Sequence, residues 1–136
     1  MSERYRAGLD TLLGLGAEKA DLISDRLAAE APGFVRLLIE FVFADILARP
    51  GLDRRTRLLI AIAVLAAQGN APAQLRWFAH AALAGGAESG EIVETFIQVA
   101  AFSGFSAATS ALEACADLLE DQTAAGCCCP PAIAAR

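Results

Sequence analysis

Side chains able to move a proton, hold an anion or form a thiolate are few in this 136-residue chain, and they are widely spaced. The one histidine, His80, closes the run Gln74-Leu-Arg-Trp-Phe78-Ala-His80. Imidazole titrates near neutrality and is the natural carrier for a general acid or base step; a structural or interface histidine is the plainer alternative. Arg49, Arg57 and Arg76 could each hold a carboxylate in a guanidinium fork, or form ordinary surface ion pairs. Asp45 and Gln98 are polar positions on otherwise apolar helices. Once buried, each must find partners, which makes them candidate ligand contacts. Trp77, Phe78, Phe102 and Phe105 supply either the walls of an apolar pocket or core.

The cysteines are Cys115, Cys127, Cys128 and Cys129. Cys115 shares an apolar helix face with Leu112, Ala116 and Leu119 and reads as a small buried hydrophobe. Cys127-Cys128-Cys129-Pro-Pro has the soft ligands for a metal or for thiol exchange. No second cluster completes it, since His80 is the only histidine, and a functionally neutral tail with reduced thiols is the simpler reading. Neither a metal nor a cofactor is expected.

The elements that must position these residues are helices, because apolar residues recur at helical spacing and no convincing period-two strand appears. Helices are expected over Arg4–Leu13, Glu18–Ala29, about Pro32 to Ala48, Arg54–Gln68, Pro72 to Gly85, Glu91–Phe102 and Ser106 to Asp121. Asp53 is a good N-cap, Pro72 suits a first turn, and Gly85-Gly86 suits a left-handed stop. Arg54–Gln68 is apolar almost all round and reads as a fully buried central helix. The fold class is therefore all-α, a single-domain bundle of six or seven helices over residues 1–121. Residues 122–136 are expected to form a flexible Cys- and Pro-containing tail.

The chain is 56% hydrophobic, more than a small domain usually hides. The longest uncharged apolar run, Leu58–Ala67, has ten residues, against roughly twenty for a membrane span. Burial against copies of the same chain is expected instead, with no membrane partner. A net charge of −5 without an extended basic stripe disfavours nucleic acid. The first residues carry no apolar signal core, so a cytoplasmic location is expected.

Three segments together resemble the carboxymuconolactone decarboxylase family, which includes lactone decarboxylases and alkylhydroperoxidase D-type proteins. Phe41-Val-Phe43-Ala-Asp45-Ile-Leu47-Ala-Arg49-Pro-Gly-Leu-Asp53 is similar to the family's aromatic-rich run ending Arg-Pro-Gly-Leu-Asp, followed by its Arg-x-Arg at Arg55-Thr56-Arg57. Gln74-Leu75 to Leu83 and Gly86 follow its Glu-Leu-x-x-His-x-x-Ala-Leu-x-x-Gly pattern. Gln98, Phe102 and Gly104 follow a third. The resemblance implies an all-helical fold assembled as a trimer or hexamer. It also places Phe78 where the family has its histidine, and Gln74 where it has a glutamate. Ala71 and Gln74 stand where a peroxidase would carry its Cys-x-x-Cys pair. The family's Gly-x-Thr-x-x-Glu-Ile becomes Gly86-Ala-Glu88-Ser-Gly-Glu91-Ile92, so the threonine cap is missing and Ser89 or Glu88 is expected to act in its place.

Scaffold positions thus match while chemical positions differ. Decarboxylation needs a cation for the carboxylate and an acid for the carbanion-like carbon, and Phe78 offers neither. His80 lies about 200° further round the helix, so it could substitute only across a different pocket. The expectation is a cofactor-independent small-molecule enzyme of lyase, decarboxylase or cyclase type, with His80 and Asp45 catalytic. Phe78, Trp77, Gln74, Gln98, Phe102 and Arg57 would contact a small-molecule ligand. The alternatives are a noncatalytic ligand-binding or structural homo-oligomer, and a thiol-dependent peroxidase using the tail cysteines.

Overall fold

A computed structural model describes residues 1–16 and 22–123 of the chain, with side chains to Glu120. Helix α1, Glu3–Leu13, starts at Ser2, whose Oγ accepts from the Tyr5 amide at 3.1 Å. It packs against a rod that begins as α3, Pro32–Leu37, with proline in its first turn, and continues as a π-helical segment, Leu38–Leu47. The approach is close because α1 presents Gly8: a Cβ there would lie 2.3 Å from the Ile39 carbonyl oxygen. The expected helix over Glu18–Ala29 is corrected. Residues 17–21 fall outside the described residues, and Ile23 and Ser24 are not helical. Ser24 instead caps a short α2, Asp25–Glu30, accepting from the Leu27 amide at 3.2 Å.

Helix α4, Arg54–Gln68, follows its sequence signals closely. Asp53 Oδ2 accepts from the Thr56 amide at 3.4 Å, and Gly69 ends the helix at φ +72°, where only glycine is unstrained. Helices α5, Pro72–Ala84, and α6, Ser89–Ser103, both pack on α4, and α6 packs on α7, Phe105–Ala114. Glu88, not Ser89, is the N-cap of α6, and its backbone amide donates to Glu91 Oε2 at 2.9 Å.

The helix expected from Ser106 to Asp121 is two helices, because the chain breaks at Cys115 before α8, Ala116–Thr123. The Leu118 amide goes to the Cys115 carbonyl, and Arg76 Nη1 takes up the Ala114 carbonyl at 2.6 Å. A long-range side chain thus satisfies the acceptor that the break releases.

The core is formed by Leu12, Ile39, Phe43, Leu58, Ile62, Ile92, Phe96 and Cys115, all fully buried. One sequence expectation fails here. Helix α4 is not buried all round, since Ile60 is 47% and Val64 50% exposed. Its second apolar face has no cover among the described residues. No helix among the described residues is long and apolar enough to cross a membrane.

Candidate functional site

The uncovered face of α4 forms one wall of a groove of about 390 Å³, and α6 forms the other. Leu59, Ile60, Ala63 and Val64 face Val99 and Phe102, with Thr56, Thr95 and Gln98 as the polar points. Both threonine hydroxyls serve their own helix. Thr95 Oγ1 donates to the Glu91 carbonyl at 2.7 Å, and Thr56 Oγ1 bonds Asp53. The exposed Gln98 amide is the group left to meet a guest. Phe102, expected in a pocket wall, does line this groove but is 84% exposed; Phe105, at 82%, is equally bare. Sequence reasoning missed Thr56, Thr95, Ile60 and Val64, because periodicity marks a face as apolar without saying which chain covers it.

A second groove, about 440 Å³, lies between α5 and α8 and is lined by Ala73, Arg76, Trp77, His80 and Leu118. Helical spacing puts Ala73, Arg76, Trp77 and His80 on one face of α5. Arg76 reaches across to α8, where Nη2 donates to Asp117 Oδ2 at 2.8 Å. The Arg76 hydrogen bond holds the Asp117 carboxyl down to about 2. Behind this pair, burial pushes the Cys115 thiol up to about 11, which keeps it protonated and unreactive near neutrality.

Trp77 is buried; its ring stands edge-on to Phe43, 5.9 Å between centroids, and to Phe78 at 5.0 Å. The half-buried Phe78 thus belongs to an edge-to-face aromatic cluster, in which Trp77 joins α5 to Phe43 of the π segment.

The remaining candidates sit elsewhere. Asp45, on the π segment, accepts from Arg4 Nε at 3.1 Å, and this bond lowers its pKa. It ties α1 to the rod and shares neither groove with His80. Arg57 Nε donates to the Arg49 carbonyl at 3.1 Å and braces the Pro50-Gly51 turn. Gln74 is exposed in the first turn of α5.

A buried carboxylate was missed. Glu40 accepts from Ser2 Oγ at 2.6 Å and from Arg36 Nε at 3.1 Å, which holds its pKa low against the opposing effect of burial. Its signal was present as an Arg36-to-Glu40 pair one helical turn apart. Among the described residues every buried side-chain nitrogen and oxygen has a partner. The Cys127-Cys128-Cys129 run lies outside the described residues.

The all-α scaffold of short packed helices defines the class of protein. The carboxymuconolactone decarboxylase family model matches residues 32–117, and the chain belongs to that family. It is 28% identical, over 88% of its own length and 89% of the other's, to a 4-carboxymuconolactone decarboxylase of Acinetobacter baylyi (strain ATCC 33305 / BD413 / ADP1). It is also 43% identical over 77 residues to an "Uncharacterized 15.0 kDa protein in nqo9-nqo10 intergenic region" of Paracoccus denitrificans. That match covers 56% of this chain and 58% of the relative.

Proposed function

We propose that this chain is a homo-oligomeric, small-molecule-binding member of its family whose α4–α6 groove takes a small, largely apolar carbonyl- or lactone-type compound, closed over by a second copy. The exposed face that includes Ile60, Val64, Ile97 and Phe102 carries this reading. Such a face on a small chain is costly to leave in water and suits an interface. Gln98 provides the hydrogen-bond donor and acceptor within an otherwise apolar lining. Light scattering on the wild type and on Val64→Arg tests it. The wild type is expected as a trimer or hexamer, and the variant as a smaller species with unchanged helical circular dichroism. A wild type that stays monomeric defeats the proposal.

A second reading, a cofactor-independent lyase with His80 as proton carrier, is favoured by one observation: His80 is exposed on a groove beside Arg76. Carboxymuconolactone itself is not the proposed substrate, because Phe78 stands at the family's histidine position and packs edge-to-face against Trp77.

A further inference from the structure

The rod carries an apolar ridge that the fold leaves bare. Val35, Ile39 and Phe43, four residues apart, are its buried side. Phe34, Leu37 and Phe41, three and four residues apart, run along the other side and are 57%, 65% and 57% exposed. Neither groove uses them. We propose that this ridge docks head to tail on the α4–α6 face of the next copy, so that Phe41 of the partner subunit roofs the ligand groove. The inference rests on the α4–α6 face being an interface and adds what covers it.

The shapes fit. The α4–α6 face is concave, a groove of about 390 Å³. Two such grooves set face to face would enclose an unfilled void, which close packing disfavours. A ridge on one helix seats between two helices. The apolar area is also sufficient. Phe102 and Phe105, at the far end of the α4–α6 face, are 84% and 82% exposed. With Phe34 and Phe41 they bring on the order of 500 Å² of bare ring surface to the contact. Leu37, Ile60, Val64 and Ile97 extend it toward the roughly 1,200 Å² of a stable interface.

Charge sets the direction. Glu94, at one end of the α6 stripe, and Arg49, just beyond the ridge, are exposed and form no ion pair among the described residues. Glu94 lies eight residues before Phe102, and Arg49 eight residues after Phe41. With the rod antiparallel to α6, a seating that sets Phe41 on Phe102 therefore brings Arg49 to Glu94 and carries Leu37 on toward Phe105. Opposite charges at the rim fix such a register. A ridge and a groove on different surfaces make a heterologous contact, which repeats from copy to copy and closes into a ring.

The test uses two full-length variants, Leu37→Arg on the ridge and Val64→Arg in the groove, each checked for helical circular dichroism and then sedimented. Each alone should give the same species, smaller than the wild type. Each also keeps the surface that the other has lost. Their equimolar mixture should therefore form a pair with twice that mass and stop there, because both outward surfaces are blocked. The mixture is run at high concentration, since one contact lacks the avidity of a closed ring. Where Leu37→Arg does not fold, Arg49→Glu replaces it as a single variant: it should weaken assembly severalfold, and adding Glu94→Arg to the same chain should restore it. Unchanged mass in Leu37→Arg would show that something other than a second copy covers the ridge. A mixture no heavier than its components would show two separate self-matching faces. Either result, or a charge swap that restores nothing, overturns the proposal and leaves the α4–α6 reading standing; a monomeric wild type overturns both.

Discussion

Gly8→Ala sets two effects of opposite sign against each other, and the structure decides which wins. In an exposed helix interior, alanine in place of glycine stabilises by about 1 kcal/mol through lower backbone entropy cost. Gly8 is buried, however, and the new Cβ would lie 2.3 Å from the Ile39 carbonyl oxygen, 2.9 Å from its Cγ2 and 3.0 Å from its carbonyl carbon. Two of these obstacles are backbone of the π segment and cannot rotate away. Helix α1 would have to retreat by about 1 Å to restore ordinary contact distances. That retreat loosens the Ser2–Glu40 hydrogen bond and the Arg4–Asp45 pair, which cross the same interface. Overpacking of this kind costs about 1–3 kcal/mol, and a backbone obstacle belongs at the upper end. The expected outcome is a net loss of about 1–2 kcal/mol. Urea unfolding followed by Trp77 fluorescence measures it, with both proteins at one protomer concentration so that assembly does not enter the comparison. A variant as stable as the wild type, or more stable, would show that α1 does not rest on the rod at Gly8.

The wild type should turn over carboxymuconolactone negligibly, because loss of a general acid alone costs about 10²–10⁴-fold. A direct assay at the rate of an ordinary family decarboxylase would refute the assignment of Phe78 to the histidine position. In a variant with Cys127, Cys128 and Cys129 changed to serine, Cys115 should react with a disulfide reagent only as fast as the protein unfolds. Its burial and its pKa of about 11 both suppress the thiolate. Fast reaction in native buffer would contradict this.

The helices that carry both grooves were legible in the sequence wherever their ends are fixed by local chemistry. Asp53 and Gly69 bound α4, and Pro72 and the Gly85-Gly86 pair bound α5, as their types suggest. The π segment was not legible, since Leu38–Leu47 contains neither proline nor glycine and keeps an ordinary apolar pattern. The break at Cys115 was equally hidden, because the side chain that satisfies the Ala114 carbonyl comes from Arg76, 38 residues away.

Among the site residues, Gln98 and Phe102 were singled out and share one groove, while Trp77 and His80 share the other. Asp45 was singled out for the right physical reason, a polar group on an apolar helix that needs a partner. That partner is Arg4, 41 positions distant, which makes Asp45 a tie between α1 and the rod. The face of α4 was read as buried from composition, and composition cannot distinguish cover by the same chain from cover by another.

The central claim, that the apolar face spanning α4 and α6 is an interface between copies, is tested most directly by the mass of the particle in solution. Sedimentation equilibrium at micromolar concentration should give a trimer or hexamer of the 14.1 kDa chain, and Val64→Arg should reduce that mass with its helical content intact. A stable, fully folded 14.1 kDa monomer in the wild type would contradict the account.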